Sequence, residues 1–142
     1  MKKKVFILAV LAVLFAVLVM HVAAFCDFQR ITAALADMDE CQISVTDYSA
    51  GSSPTFEVVD TAVAEELCRA AAEIQYHGIF GGREVIAPAD HAYALIISSG
   101  EFHVVFELSG DADLARMNGN IFKISIRNYD KLYGLLEQIT AS

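Results

Sequence analysis

Histidines within reach of carboxylates are the first places to look for acid–base chemistry, and this chain offers two. His103 and Glu107 fall on one face of an expected strand, four residues and so about 13 Å apart, too far to exchange a proton. Asp90 and His91 are adjacent on an expected loop, but no third group is fixed beside them. No nucleophile elbow, Ser/His/Asp order or Cys/His pair of recognised spacing is present. The glycine-rich stretch Gly78-Ile79-Phe80-Gly81-Gly82 follows an expected helix instead of opening one, so it lacks the helix N-terminus that binds phosphate. Asp111-Ala112-Asp113 begins like a calcium loop. Ala115 then takes the third ligand position and Arg116 the required glycine position, and the match fails. Asp37, Asp39 and Glu40 read as a solvated acidic loop. The sequence therefore assigns no catalytic, cofactor-binding or metal-ligating residue.

Sulfur chemistry is the other possibility. The chain has three cysteines, Cys26, Cys41 and Cys68, and an odd number leaves at least one without an intramolecular partner. Cys26 and Cys41 flank an expected helix over 27–38, about 18 Å long. Disulfide Cα atoms sit within about 7 Å, so an intact helix keeps these two apart. Cys41 and Cys68 both lean toward the expected core. They can pair, or remain two inert buried thiols, and the sequence leaves both readings open. No Cys-x-x-Cys or Cys/His cluster marks a structural zinc site.

The elements that position these residues follow from periodicity. Phe28, Ile31, Leu35 and Met38 form a narrow helical stripe over 27–38, which continues the apolar segment before it if that segment is retained. Residues 41–48 alternate, with Ile43 and Val45 on one side. A turn over 50–54 leads into a second strand, 55–59, with Phe56 and Val58 inward. Asp60 suits a helix N-cap, and Val63, Leu67, Ala70 and Ile74 line one face of the helix that follows. Gly78 is expected to close that helix, with His77 near its dipole. Residues 79–90 read as a connector that turns at Gly81-Gly82 and excludes a central strand at Pro88. Strands over 92–98 and 101–108 flank Ser99-Gly100, a two-residue hairpin turn that sets Ile97 against Phe102 and Ile96 against His103. Tyr93, Leu95, Ile97, Phe102, Val104 and Phe106 form its core face. Residues 109–119 read as a polar loop ending in the turn Asn118-Gly119. A fifth strand, 120–126, points Phe122, Ile124 and Ile126 inward. Asn128 then caps a last helix that buries Tyr129, Leu132, Leu136 and Ile139. The fold class is α+β: a mainly antiparallel sheet of about five strands with helices on one face.

Ahead of this domain, Lys2, Lys3 and Lys4 precede an apolar run from Val5 to Phe25 that only His21 interrupts. Positive charge stays on the cytoplasmic side of a membrane, so the pattern reads as an export address. About 20 apolar residues span a bilayer core, and this run meets that length. Val22-Ala23-Ala24 also suits signal-peptide cleavage after Ala24. Lipid attachment at Cys26 is disfavoured by bulky Phe25 before it. The expected organisation is a signal anchor or signal peptide over 1–25, a juxtamembrane helix over 26–40 and a single α+β domain over 41–142.

Charge limits the partners. Beyond residue 24 the chain keeps 7 of its 10 basic residues and all 18 acidic ones, a formal net charge of −11 over 118 residues. Such a surface repels phosphate backbones, so nucleic acid is excluded as a partner. It also repels anionic lipid head groups, which predicts a domain that stands off the membrane while its N-terminal helix enters it. Such a surface suits simple solubility first, and otherwise a basic protein partner or a cation.

The order of elements resembles small exported or membrane-anchored domains of unknown function from Gram-positive bacteria. The resemblance rests on the lysine-rich start and long apolar run, on the strand entering a capped helix at Phe56–Asp60, on the Ser99-Gly100 hairpin, and on the Asn118-Gly119 turn entering Ile121-Phe122-Lys123-Ile124. It covers residues 40–140. It implies a location at the cell envelope and this fold, and it supplies no activity and no site residues.

These readings converge on a non-catalytic extracytoplasmic interaction module, tethered to the cell membrane in a single pass with its C-terminal domain outside. A secreted inhibitor or protective protein that binds a basic partner is the alternative. A small hydrolase built around His91 or His103 is a third, which would need a deep pocket joining the histidine to a carboxylate and a hydroxyl.

Overall fold

The computed structural model describes residues 2–38, 40–49, 52–80, 92–109, 114–118 and 123–141. The chain opens with a helix of 35 residues, α1 (Lys2–Ala36), about 52 Å long at the usual rise. No described residue outside the helix covers its first part: Phe6, Leu8 and Phe15 are each about two-thirds exposed or more. Its last turns behave differently. Phe28, Ile31 and Leu35 are buried in the domain core, as their helical spacing predicts. The expected helix over 27–38 is thus the C-terminal end of α1 and a working part of the core.

Seven antiparallel strands follow in one sheet of order β2-β1-β4-β5-β6-β7-β3. They are β1 (Gln42–Asp47), β2 (Thr55–Val58), β3 (Gln75–Phe80), β4 (Tyr93–Ser99), β5 (Phe102–Ser109), β6 (Leu114–Met117) and β7 (Lys123–Arg127). Helices α2 (Thr61–Ala72) and α3 (Asp130–Thr140) complete the fold. Alternation along each strand sends one set of side chains to the helical layer. Val45, Leu95, Phe106 and Met117 form one cross-strand row of that face, and Leu108, Ala115 and Ile124 another. All of them are buried. The end of α1 packs on α2 and β3, α2 on α3, and α3 on β1. The architecture is α+β, as the sequence predicts.

Two strands were not expected, and both have local causes. Helix α2 stops at Ala72 with Glu73 as its C-cap, six residues before the expected stop at Gly78. Ile74 is buried beyond the helix end, and residues 75–80 pair with β7 as an edge strand. The register shifts between Tyr76 and Gly78. His77 is therefore the extra residue of a bulge, not a dipole partner. Its Nε2 accepts from Arg127 Nη2 at 2.9 Å. The other addition is β6, inside the expected polar loop over 109–119. Leu114, Ala115 and Met117 are buried there.

The β4–β5 hairpin also differs in register. Ser99 pairs with Phe102, Ile97 with Val104 and Leu95 with Phe106, which moves the turn to Gly100-Glu101. Gly100 has φ +57°. A two-residue turn needs positive φ at its first central position, and the glycine is placed there. The change is an even number of residues, so every side chain keeps its expected face. Asp60 caps α2 as predicted: its Oδ1 accepts from Ala62 N at 2.8 Å and Val63 N at 3.3 Å. Asn128 does not cap α3. Tyr129 holds the N-cap position, its side chain making no cap hydrogen bond, and Asn128 sits at φ +58° with Nδ2 donating to Glu73 O at 3.0 Å. That bond ties the start of α3 to the end of α2. Asp39, Gly51, Gly81-Gly82, Pro88, Asp90, His91, Asp111-Ala112-Asp113, Gly119 and Phe122 lie outside the described residues.

Candidate functional site

Three places in the described residues bring polar or reactive side chains together. The first is where α1 leaves its bare stretch and meets the domain. Tyr76, on edge strand β3, directs its phenol to His21 Nδ1 at 3.1 Å. Its ring makes an edge-on contact with the His21 ring at 5.4 Å and with Phe25 at 5.5 Å, and a tilted one with Phe28 at 5.8 Å. Edge-to-face rings at these separations attract through their quadrupoles. Burial pushes the Tyr76 phenol above its ordinary pKa. The domain is thereby fastened to the helix three to seven residues before the core stripe begins at Phe28. No break in α1 separates the exposed apolar stretch from the folded part.

The second place is the sheet face opposite the helices. Along it, Thr46 Oγ1 and Thr55 Oγ1 share a hydrogen bond at 2.9 Å, and Ser98 Oγ one with His103 Nδ1 at 2.8 Å. Glu107 and Arg116 are joined by a half-buried ion pair across β5 and β6. The carboxylate beside it strengthens Arg116's hold on its proton and raises the guanidinium above its ordinary value. Ile96 and Val105 are half-buried between these pairs. At one end of the face an open depression of about 560 Å³ lies between β1, β2 and β4, with Gln42, Ser44, Glu57, Ile96 and Ser98 on its wall.

His103 and Glu107 have different partners on this face. His103 is exposed and bonded to a serine, whereas Glu107 is committed to Arg116. The Ser98–His103 pair borders an open depression, not a deep pocket, and the carboxylate on its strand is already in use. Among the described residues, no three His, Cys, Asp or Glu side chains converge as a metal site would require.

No protein-family model, curated protein or solved structure matches the chain.

The third place is the Cys41–Cys68 pair. Cys41 immediately precedes β1 and Cys68 lies mid-way along α2, where helical periodicity turns it into the core. Their sulfurs are 3.2 Å apart, and both are free thiols. Cys68 is 1% exposed and Cys41 half-buried. Burial, then the hydrogen bond with Cys41, then the charge Cys41 can carry push the Cys68 thiol up to about 12. Cys26 is exposed on α1 and separate from both. The sequence signal for this juxtaposition was the common inward lean of both residues. What it lacked was that α2 passes beside the residue just before β1.

Proposed function

We propose that this protein is a non-catalytic extracytoplasmic interaction module held at the cell membrane by α1, its C-terminal domain outside. The observation that carries this reading is the double character of one helix. Its first part is apolar on every side and exposed, while its last turns supply Phe28, Ile31 and Leu35 to the domain core. An apolar helix without a protein partner suits a bilayer, and three lysines at its start favour a cytoplasmic N-terminus. The helix enters the domain as a rigid rod, so a tether of this kind fixes the domain's height and tilt. Tyr76, His21 and Phe25 would then lie at the outer interface, where aromatic side chains with a polar tip are favoured. On this reading β3 lies close to the head groups, nearer than the acidic surface alone would suggest. The sheet face bearing Thr46, Ser98, His103 and Glu107 is left for a partner.

The test is to express the full chain in a Gram-positive host, fractionate the cells and measure the intact mass. Full mass in carbonate-washed membranes, with the domain digested by protease added to intact protoplasts, supports the reading. A soluble product beginning at Phe25 removes the tether and turns attention to a diffusible basic partner. Full-mass protein in membranes whose domain is shielded from added protease reverses the orientation.

A further inference from the structure

We propose that Cys41 and Cys68 form a dithiol–disulfide site that is oxidised by thiol–disulfide exchange with a donor disulfide, Cys41 reacting first and Cys68 completing the bond. This goes beyond the tethered-module reading and stands whichever side of the membrane the domain occupies.

Geometry carries the argument. The two sulfurs already touch at 3.2 Å, and a disulfide bond of about 2.05 Å needs them to close by little more than 1 Å. The residues are 27 apart in sequence, one immediately before β1 and one in α2. The bond would therefore staple the sheet to the helical layer instead of joining neighbours that constrain nothing.

Access differs between the sulfurs and sets the order of events. Cys41 borders two open depressions, one shared with Gln42 and Ser44 and the other with Glu40 and Gly100. Cys68 borders a smaller one of about 110 Å³ between α1 and α2, beside Leu35 and Arg69. A donor disulfide can reach Cys41 and not Cys68. The Cys41 thiolate attacks one donor sulfur, the donor S–S bond breaks and one donor thiolate leaves. The Cys68 thiol then gives up its proton to water and attacks Cys41 Sγ, and the second donor thiolate leaves. Two thiols become one disulfide, and the donor disulfide becomes two thiols. The buried Cys68 holds its proton tightly, so the second step is the slow one.

Trypsin provides a clean readout. No lysine or arginine lies between Arg30 and Arg69, so Cys41 and Cys68 share the single peptide 31–69, while Cys26 falls in a different one. Purified full-length protein in detergent is treated with glutathione disulfide at neutral pH, quenched in acid, alkylated and digested without reduction. The expected product is peptide 31–69 lighter by two hydrogens and unalkylated, with Cys26 free to carry its own label. In Cys68→Ser the intermediate cannot resolve, and peptide 31–69 retains one glutathionyl group. In Cys41→Ser the buried Cys68 takes up neither glutathione nor, under native conditions, the alkylating agent. Reduction of the oxidised wild type should lower its melting temperature by on the order of 10 °C, and Cys41→Ser should show no such change. The proposal is overturned if wild-type peptide 31–69 keeps a glutathionyl group without closing. It is equally overturned if both thiols stay alkylatable after oxidation, or if the disulfide formed joins Cys26 to either of the other two.

Discussion

The phenol of Tyr76 reaches Nδ1 of His21 across 55 residues of sequence, at 3.1 Å, and so locks edge strand β3 to the apolar helix. Removing the hydroxyl alone, in Tyr76→Phe, should cost under about 1 kcal/mol, the usual net worth of one hydrogen bond. Tyr76→Ala also deletes the ring contacts with Phe25 and Phe28 and should cost about 1–3 kcal/mol. A double-mutant cycle with His21→Ala, read by thermal unfolding of the full chain in detergent, isolates the bond. Strict additivity of His21→Ala and Tyr76→Phe would mean that the two side chains do not interact.

Leu95 and Phe106 face each other across β4 and β5 in the central core row, and both are fully buried. Either one changed to alanine should destabilise by about 2–5 kcal/mol through lost transfer energy and the cavity left behind. His103 lies on the same hairpin but the opposite face, exposed beside Ser98. His103→Ala should cost under about 0.5 kcal/mol. Chemical denaturation of the three variants checks the facing directly, and a large loss at His103 with none at Phe106 would mean the sheet is reversed.

Much of this arrangement could be read from the sequence, for identifiable reasons. Period-two alternation around Leu95 and Val104 marked the correct core face even though the pairing was two residues off, because an even slip preserves facing. Asp60 was recognisable because a carboxylate before an apolar helical face has one common use. Residues 75–80 were not recognisable as a strand. Gln75, His77 and Gly78 are weak strand formers, and the segment is held by pairing to β7, 43 to 52 residues away. Leu114 to Met117 failed similarly: four residues between polar flanks carry too little periodicity. Asn128 looked like a cap from its residue type, while its bond to Glu73 O depends on where α2 ends. The outer-face pairs Ser98–His103 and Glu107–Arg116 needed the true register before they could be seen.

The two asparagine and aspartate positions around the helices separate bonding from backbone conformation. Asp60→Ala removes two N-cap acceptor contacts and should cost about 1 kcal/mol. Asn128→Ala loses the bond to Glu73 O and also places a poorly suited residue at φ +58°. It should cost about 1–2 kcal/mol. Asn128→Gly loses the same bond but relieves the backbone and should cost less than Asn128→Ala. If the glycine variant were the less stable of the two, positive φ would not be what selects asparagine there.

The Cys68 thiol fixes the alkaline behaviour of the reduced protein. Its folded pKa of about 12 stands above the ordinary 9.0, so the fold favours the protonated form. Below pH 9 folded and unfolded chains both hold that proton, and the stabilisation is fully present. Between pH 9 and 12 the unfolded chain releases it while the folded chain does not, so stability is lost as pH rises. Tyr76 and Tyr93 are also raised above 10.0, chiefly by burial, and add losses of the same sign at higher pH. Cys68→Ala keeps both tyrosines, so comparing it with the wild type between pH 8 and 10 isolates the thiol. Over that interval the reduced wild type should lose more stability than Cys68→Ala. The difference should be below about 1 kcal/mol, since the half-exposed Cys41 side admits water that screens the effect. Thermal melts of both proteins in reducing buffer at closely spaced pH values measure it. Parallel curves would mean that the Cys68 thiol titrates alike in the folded and unfolded chain.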